Sequence, residues 1–246
     1  MAMKIKKHIT ALATAAALSA TLPAVAQQSQ HMTPETMLSL ARVGASALSP
    51  DGKTVVYSVG FPSIKDNKIR TELFTISSDG SARRQITQGV AGVHGARWIQ
   101  QGRRISYISS ESGAPQVWTM APDGTDRRQV TNIEGGLSDY LFSPDEKQLA
   151  YIKEISFGKS TKEIYPDLPK ATGRIVTDLM YKHWDEWVET IPHIFIAPVG
   201  GEAITGGKDI LEGEPYEAPT KPFGGAEELS WSPDGKTLAY SSRKKT

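Results

Sequence analysis

The chain has no cysteine among its 246 residues. That excludes disulfides, zinc–thiolate sites and cysteine nucleophiles, so the fold must be held by packing. It has no surplus of either charge: 28 Lys and Arg stand against 27 Asp and Glu, a formal net charge of +1. Arg243-Lys244-Lys245 is its one basic run, too little to track a phosphate backbone, so nucleic acid is not an expected partner. Histidine is scarce and scattered. His8, His31, His94, His183 and His193 show no H-E-x-x-H or other paired spacing, so neither a metal site nor a cofactor is implied. Beyond the first residues, no apolar run approaches the ~20 residues that cross a bilayer, and no membrane span is expected. The nucleophile elbow G-x-S-x-G is also absent. Gly44-Ala45-Ser46-Ala47-Leu48 and Gly136-Leu137-Ser138-Asp139-Tyr140 come nearest, and both lack the closing glycine.

What is present begins with a leader. Lys4, Lys6 and Lys7 precede an apolar stretch, Ile9–Leu22, and Ala24-Val25-Ala26 is a small-x-small cleavage site. Residues 1–26 therefore read as a secretory signal peptide, which predicts export to the periplasm or the cell exterior. Residues 27–47 are expected to form a stub and a short helix. Thr33 would be its N-cap, Pro34 its first residue, and Met37, Leu38 and Ala41 a packing face.

From Leu48 a phrase recurs. Leu48–Val59 reads LSPDGKTVVYSV and Leu229–Ser242 reads LSWSPDGKTLAYSS, with worn copies at Leu141–Lys153 and Ala96–Ser109. Pro presets φ, Asp caps the turn and Gly accepts positive φ, which are the requirements of a hairpin turn. A second turn type, Ser78-Asp79-Gly80-Ser81 and Pro122-Asp123-Gly124-Thr125, alternates with the first. Two hairpins make a four-stranded unit. The 44-residue interval from Asp79 to Asp123 matches the period of propeller blades, about 40–45 residues. The predicted fold is all-β: a partial β-propeller of WD40-like or TolB-like blades, about three and a half of them. Boundaries are expected near 48–95, 96–138 and 139–228, with a partial blade over 229–246. The third blade should contain an insertion over residues 155–191 and a returning strand at Glu202–Thr205. Gly52-Lys53-Thr54 and Gly235-Lys236-Thr237 imitate the tail of a phosphate-binding loop, but they lack its first glycine and join strand to strand.

Further stretches narrow the resemblance. Met32-Thr33-Pro34-Glu35, Asp178–Trp187 (DLMYKHWDEW), Pro215-Tyr216-Glu217-Ala218-Pro219 and Pro222-Phe223-Gly224-Gly225 resemble the N-terminal propeller of the prolyl oligopeptidase family of serine peptidases, in its secreted dipeptidyl-peptidase or acylaminoacyl-peptidase branch. That resemblance implies a propeller that filters short peptide substrates for an α/β-hydrolase domain carrying Ser, His and Asp. No catalytic residue can be assigned within this chain, so by itself it is expected to be inactive, with the hydrolase domain as its missing partner and a homodimer as a further possibility. A periplasmic binding propeller of the Tol–Pal type is the alternative.

The best candidate site lies in the insertion. Trp184 and Trp187 flank Asp185 and Glu186. Two indoles beside two carboxylates suit the ammonium group of a peptide's amino terminus, through ion pairing and cation–π attraction. The same tryptophans could instead plug the blade against its neighbour, leaving the acids merely solvated.

Overall fold

The structure, a computed structural model, describes residues 31–176 and 181–244. The leader expected over residues 1–26 and the start of the DLMYKHWDEW stretch, residues 178–180, lie outside them. The described residues up to Met37 and those from Leu38 onward belong to two compact units. Helix α1 (Pro34–Ser39) starts where expected, with the Thr36 amide donating to Thr33 Oγ1 at 3.1 Å. None of its residues is buried. No helix among the described residues is long and apolar enough to cross a membrane.

From Arg42 the described residues form three four-stranded antiparallel sheets and two further hairpins. Blade 1 contains β1 (Arg42–Leu48), β2 (Thr54–Ser63), β3 (Lys68–Ser77) and β4 (Arg84–Gln85). Blade 2 contains β5 (His94–Ile99), β6 (Arg104–Ser109), β7 (Gln116–Met120) and β8 (Arg128–Gln129). Blade 3 opens with β9 (Asp139–Phe142) and β10 (Gln148–Ser156). It then makes an excursion through helix α2 (Thr161–Ile164) and a small hairpin, β11 (Lys182–His183) and β12 (Glu186–Trp187), before β13 (Thr190–Pro198) and β14 (Lys208–Asp209). The fourth hairpin is β15 (Leu229–Trp231) and β16 (Leu238–Tyr240).

The strand bounds differ from the sequence reading in three places. Residues 42–47 are strand, not stub, because the turn at Ser49–Gly52 needs a partner before it; the register runs from Arg42↔Gly60 to Leu48↔Val55. The β10–β13 ladder continues past Ile155↔Ile191 to Ser156↔Thr190, so the excursion is residues 157–189. The returning strand of blade 3 is Lys208–Asp209, not Glu202–Thr205. Ile204 instead forms a parallel bridge to Thr131, and its amide and carbonyl bond Val130 and Asn132 between blades 2 and 3.

The repeated phrase folds as its chemistry requires. In the first turn Ser49 Oγ donates to Asp51 Oδ1 at 2.6 Å and accepts from the Thr54 amide at 2.9 Å. Ser143 with Asp145, and Ser232 with Asp234, repeat both bonds. Gly124 carries positive φ (87°), and a Cβ there would lie 2.4 Å from the Ile86 carbonyl oxygen of blade 1. Only glycine fits so close an approach.

Three apolar clusters fill the three junctions. Val56 and Leu73 of blade 1 meet Ile105, Tyr107 and Met120 of blade 2. Ile108 and Val117 meet Leu149, Tyr151 and Ala197. Ala150, Ile152 and Ile194 meet Leu229, Trp231 and Leu238. A hydrogen bond crosses each junction between first strands. Trp98 Nε1 donates to the Ala47 carbonyl at 3.0 Å, and Trp231 Nε1 donates to the Leu141 carbonyl at 3.3 Å. Phe142 occupies the corresponding place in blade 3 and has no N–H. There Tyr140 supplies the bond from two residues earlier, with its hydroxyl 2.9 Å from both the Gly95 carbonyl and Ser106 Oγ.

A second repeated device ties each blade to the connection that leaves it. Glu72, Gln116 and His193 hold the same place on β3, β7 and β13, and all are buried. Glu72 accepts from Thr87 Oγ1 and the Gly89 amide at 2.7 Å each, and pairs with Arg70. Gln116 accepts from Thr131 Oγ1 and the Ile133 amide, and donates to the Ile133 carbonyl. His193 Nδ1 lies 2.8 Å from Asp209 Oδ2, and the other oxygen of Asp209 takes the Leu211 amide.

Burial pushes the Tyr140 phenol far above its ordinary range. Tyr140→Phe keeps the ring and strands the Gly95 carbonyl, which should cost about 1–3 kcal/mol. A urea titration should show the lower midpoint with an unchanged slope. An unaltered midpoint would mean the bond contributes nothing. A second expectation concerns acid. The serine hydroxyl first, then the lysine amide, holds the Asp51, Asp145 and Asp234 carboxyls below the usual aspartate range. Carboxyls bonded in the fold and free in the unfolded chain stabilise the fold above the ordinary value of ~3.9, and that contribution is lost as pH falls through the lower folded value. Thermal midpoints should therefore drop below pH ~4. The triple variant Asp51→Asn, Asp145→Asn, Asp234→Asn should show a shallower acid dependence, and an equally steep one would exonerate the turns.

Candidate functional site

Neighbouring strands run in opposite directions, so each blade has two rims. The Ser-Pro-Asp-Gly and Asp-Gly turns occupy one. The loops between second and third strands, and the connections between blades, occupy the other. The 157–189 excursion and the connection from β14 to β15 therefore emerge on the same rim of blade 3. There they enclose a cavity of about 310 Å³ lined by His183, Trp184, Asp185, Glu186, Trp187 and Lys221, among others. The sequence-selected residues Trp184, Asp185, Glu186 and Trp187 all lie on this wall.

The hairpin that presents them is short. Lys182 pairs with Trp187 and His183 with Glu186, leaving Trp184-Asp185 as the turn. Trp184 sits in the left-handed region, with φ of 53°. A bulky residue held there is strained. Its ring is 77% exposed and meets Phe223, itself 80% exposed, edge-on at 5.5 Å. Trp184 is thus not buried between the described blades. Trp187 differs. The guanidinium of Arg174 and the ammonium of Lys182 each lie 4.5 Å from its ring centroid, and Tyr181 packs at 5.9 Å. The protein's own cations already occupy the positions from which this indole attracts positive charge, so Trp184 is the indole left open.

The charges around the cavity are mostly matched. Glu154 pairs with Lys221 at 2.7 Å and Glu189 with Arg174 at 2.8 Å. Glu217 pairs with Arg243 and faces His183 Nε2 at 3.7 Å. Among the described residues, Asp185 and Glu186 have no cation partner, although both face the cavity. An unpaired carboxylate beside an open indole is equipped to hold an ammonium group.

Several residues on or beside the cavity escaped the sequence reading. Lys221, Phe223 and Glu217 lie some thirty residues or more beyond the tryptophans, and nothing in their spacing ties them to the hairpin. The signal available was compositional. The Pro-rich stretches Pro215–Pro219 and Pro222–Gly225 stood out as a resemblance, without a role. His183 was counted among scattered histidines, and it is the one that lines the cavity.

No family model matches the chain. Curated relatives do. The chain is 62% identical to dipeptidyl-peptidase 5 of Porphyromonas gingivalis, over 88% of this chain and 32% of that protein. It is 49% identical to dipeptidyl-peptidase 5 of Porphyromonas endodontalis, over 89% of this chain and 32% of that one. Among solved structures, an acylaminoacyl peptidase in complex with Z-Gly-Gly-Phe-chloromethyl ketone matches with a TM-score of 0.53 and 12% identity, over 74% of this chain and 27% of that chain. TolB from Acinetobacter baumannii matches with a TM-score of 0.50 and 16% identity, over 82% of this chain and 38% of that one. The two structures support the propeller fold alone. Across nearly nine-tenths of its length the chain is thus similar to dipeptidyl-peptidases 5, and it spans about a third of these curated relatives' length.

Proposed function

We propose that this chain is the substrate-gating propeller of an exported serine exopeptidase that releases dipeptides from peptide amino termini. In this reading the bond is broken by a Ser-His-Asp triad in a hydrolase domain outside this sequence. The serine attacks the scissile carbonyl, the histidine takes and returns the proton, and the aspartate orients the histidine. The propeller's part is to admit short chains and to fix the free end.

One observation carries the proposal: among the described residues, Asp185 and Glu186 face the cavity without a cation of their own, where the neighbouring acids are ion-paired. A peptide ammonium would supply the missing charge, with Trp184 beside it. A blocked amino terminus would have nothing to offer either carboxylate, so the site would distinguish free from acylated peptides. The Trp187 ring, already flanked by Arg174 and Lys182, would serve as support for the hairpin, not as a contact.

The test uses a protein in which this chain is joined to the remainder of a dipeptidyl-peptidase 5. One charge-assisted contact at a partly exposed site is worth about 1.4 kcal/mol, or a factor of ten. Glu186→Gln should therefore raise KM for dipeptidyl coumarylamides with a free amino terminus about tenfold and leave kcat unchanged. Amino-terminally blocked substrates should show no change. An unaltered KM for the free substrates would remove the role, and a joined protein without any peptidase activity would favour a binding propeller of the Tol–Pal type. Export through residues 1–26 belongs to the same proposal. Amino-terminal sequencing of the protein recovered from the periplasm or medium should begin at Gln27, and retention of the leader in the cytoplasm would contradict it.

A further inference from the structure

We infer that Glu217 is a positioning residue that sets the spacing between the two walls of the cavity, an inference that rests on reading the cavity as the peptide site. One wall is the β11–β12 hairpin with Trp184, Asp185 and Glu186. The other is the connection from β14 to β15, which supplies Lys221 and Pro222. Glu217 stands where these two meet a third segment, the residues that follow β16.

The side chain of Glu217 is almost fully buried, which is unusual for a carboxylate unless it is paired. Its two oxygens look in two directions. Oε2 faces His183 Nε2 on the hairpin at 3.7 Å, and Oε1 takes the guanidinium of Arg243. The same Arg243 nitrogen reaches the Lys221 carbonyl at 3.2 Å, and Ser242 Oγ donates to the Glu217 carbonyl at 3.0 Å. The Ala218 amide anchors the next residue to the Pro192 carbonyl on β13 at 3.0 Å. A single carboxylate thus links the hairpin, the connection and the segment after the fourth hairpin.

Two further contacts involve the walls. Trp184 meets Phe223 edge-on, but both rings are largely exposed. Lys221 pairs with Glu154 on β10, which fixes the connection to blade 3 and not to the hairpin. Removing the Glu217 carboxylate would take from His183 and Arg243 the group that both face, and with it the side-chain tie between hairpin and connection. The hairpin would then swing relative to Lys221, carrying Asp185 and Glu186 with it.

The chain has five tryptophans, two of them on the hairpin and three at blade junctions, so 5-fluorotryptophan reports on both regions by fluorine NMR. Glu217→Ala in this chain should move the Trp184 and Trp187 resonances and leave those of Trp98 and Trp231 in place. In the joined protein it should raise KM for free-amino-terminus substrates about tenfold without lowering kcat. Glu217→Gln keeps an oxygen for Arg243 and should recover part of both effects. Unmoved Trp184 and Trp187 resonances would overturn the inference. Movement of all four would overturn it too, because Glu217 would then support the blades as a whole. If the hairpin resonances move while KM stays constant, the link stands and the peptide-site reading fails.

Discussion

The architecture depends on one contact made three times: an aromatic side chain on a blade's first strand donates a hydrogen bond to a backbone carbonyl on the first strand of the blade before it. First strands lie closest together in a propeller, and their carbonyls cannot all be served within their own sheet. Packing supplies most of the cohesion at each junction. Each fully buried large apolar side chain is worth about 1.5–3 kcal/mol, against about 1 kcal/mol net for the bond. Apolar contact is indifferent to small slides, however, and a hydrogen bond of about 3 Å is not. The clusters hold the blades together, and the bond fixes where they sit.

The rim on which the cavity opens follows from that stacking. With the blades fixed in register, the loops between second and third strands come out at one level. Blade 2 keeps this loop short, whereas blade 3 extends it into an excursion with its own hairpin. The excursion is tied down at its base by the continued β10–β13 ladder, and along its side by Arg174, His183 and their acidic partners. A rigid stack with one elaborated loop is a common division of labour between scaffold and site.

Much of the fold was legible in the sequence, because its turns are chemically explicit. Ser49-Pro50-Asp51-Gly52 and Ser232-Pro233-Asp234-Gly235 name their geometry, and the 44-residue interval gives the repeat. The worn copies were legible by register, although Glu146 stands in the left-handed place where the clear copies have glycine; its carboxylate takes the Gln100 amide of the neighbouring turn. Blade 3's last strand was misplaced for a physical reason. A two-residue strand has no period, and Gly200-Gly201 before an apolar Ile204 imitates a tight hairpin. The junction bonds were invisible, since nothing local distinguishes the Trp98 indole that reaches Ala47 from a tryptophan that is simply buried. The wall opposite the hairpin, supplied by Lys221 and Pro222, was hidden by distance along the chain.

The buried position shared by Glu72, Gln116 and His193 has a further consequence. Chains built from similar repeats risk assembling with units exchanged, because neighbouring blades offer nearly the same shape. Here the three blades present a carboxylate, an amide and an imidazole to the segments that leave them. Were β3 to take the place of β7, its carboxylate would confront the Ile133 carbonyl, acceptor against acceptor, where Gln116 donates. The chemistry of a single slot therefore works as an address, giving each blade a reason to occupy its own place in the ring.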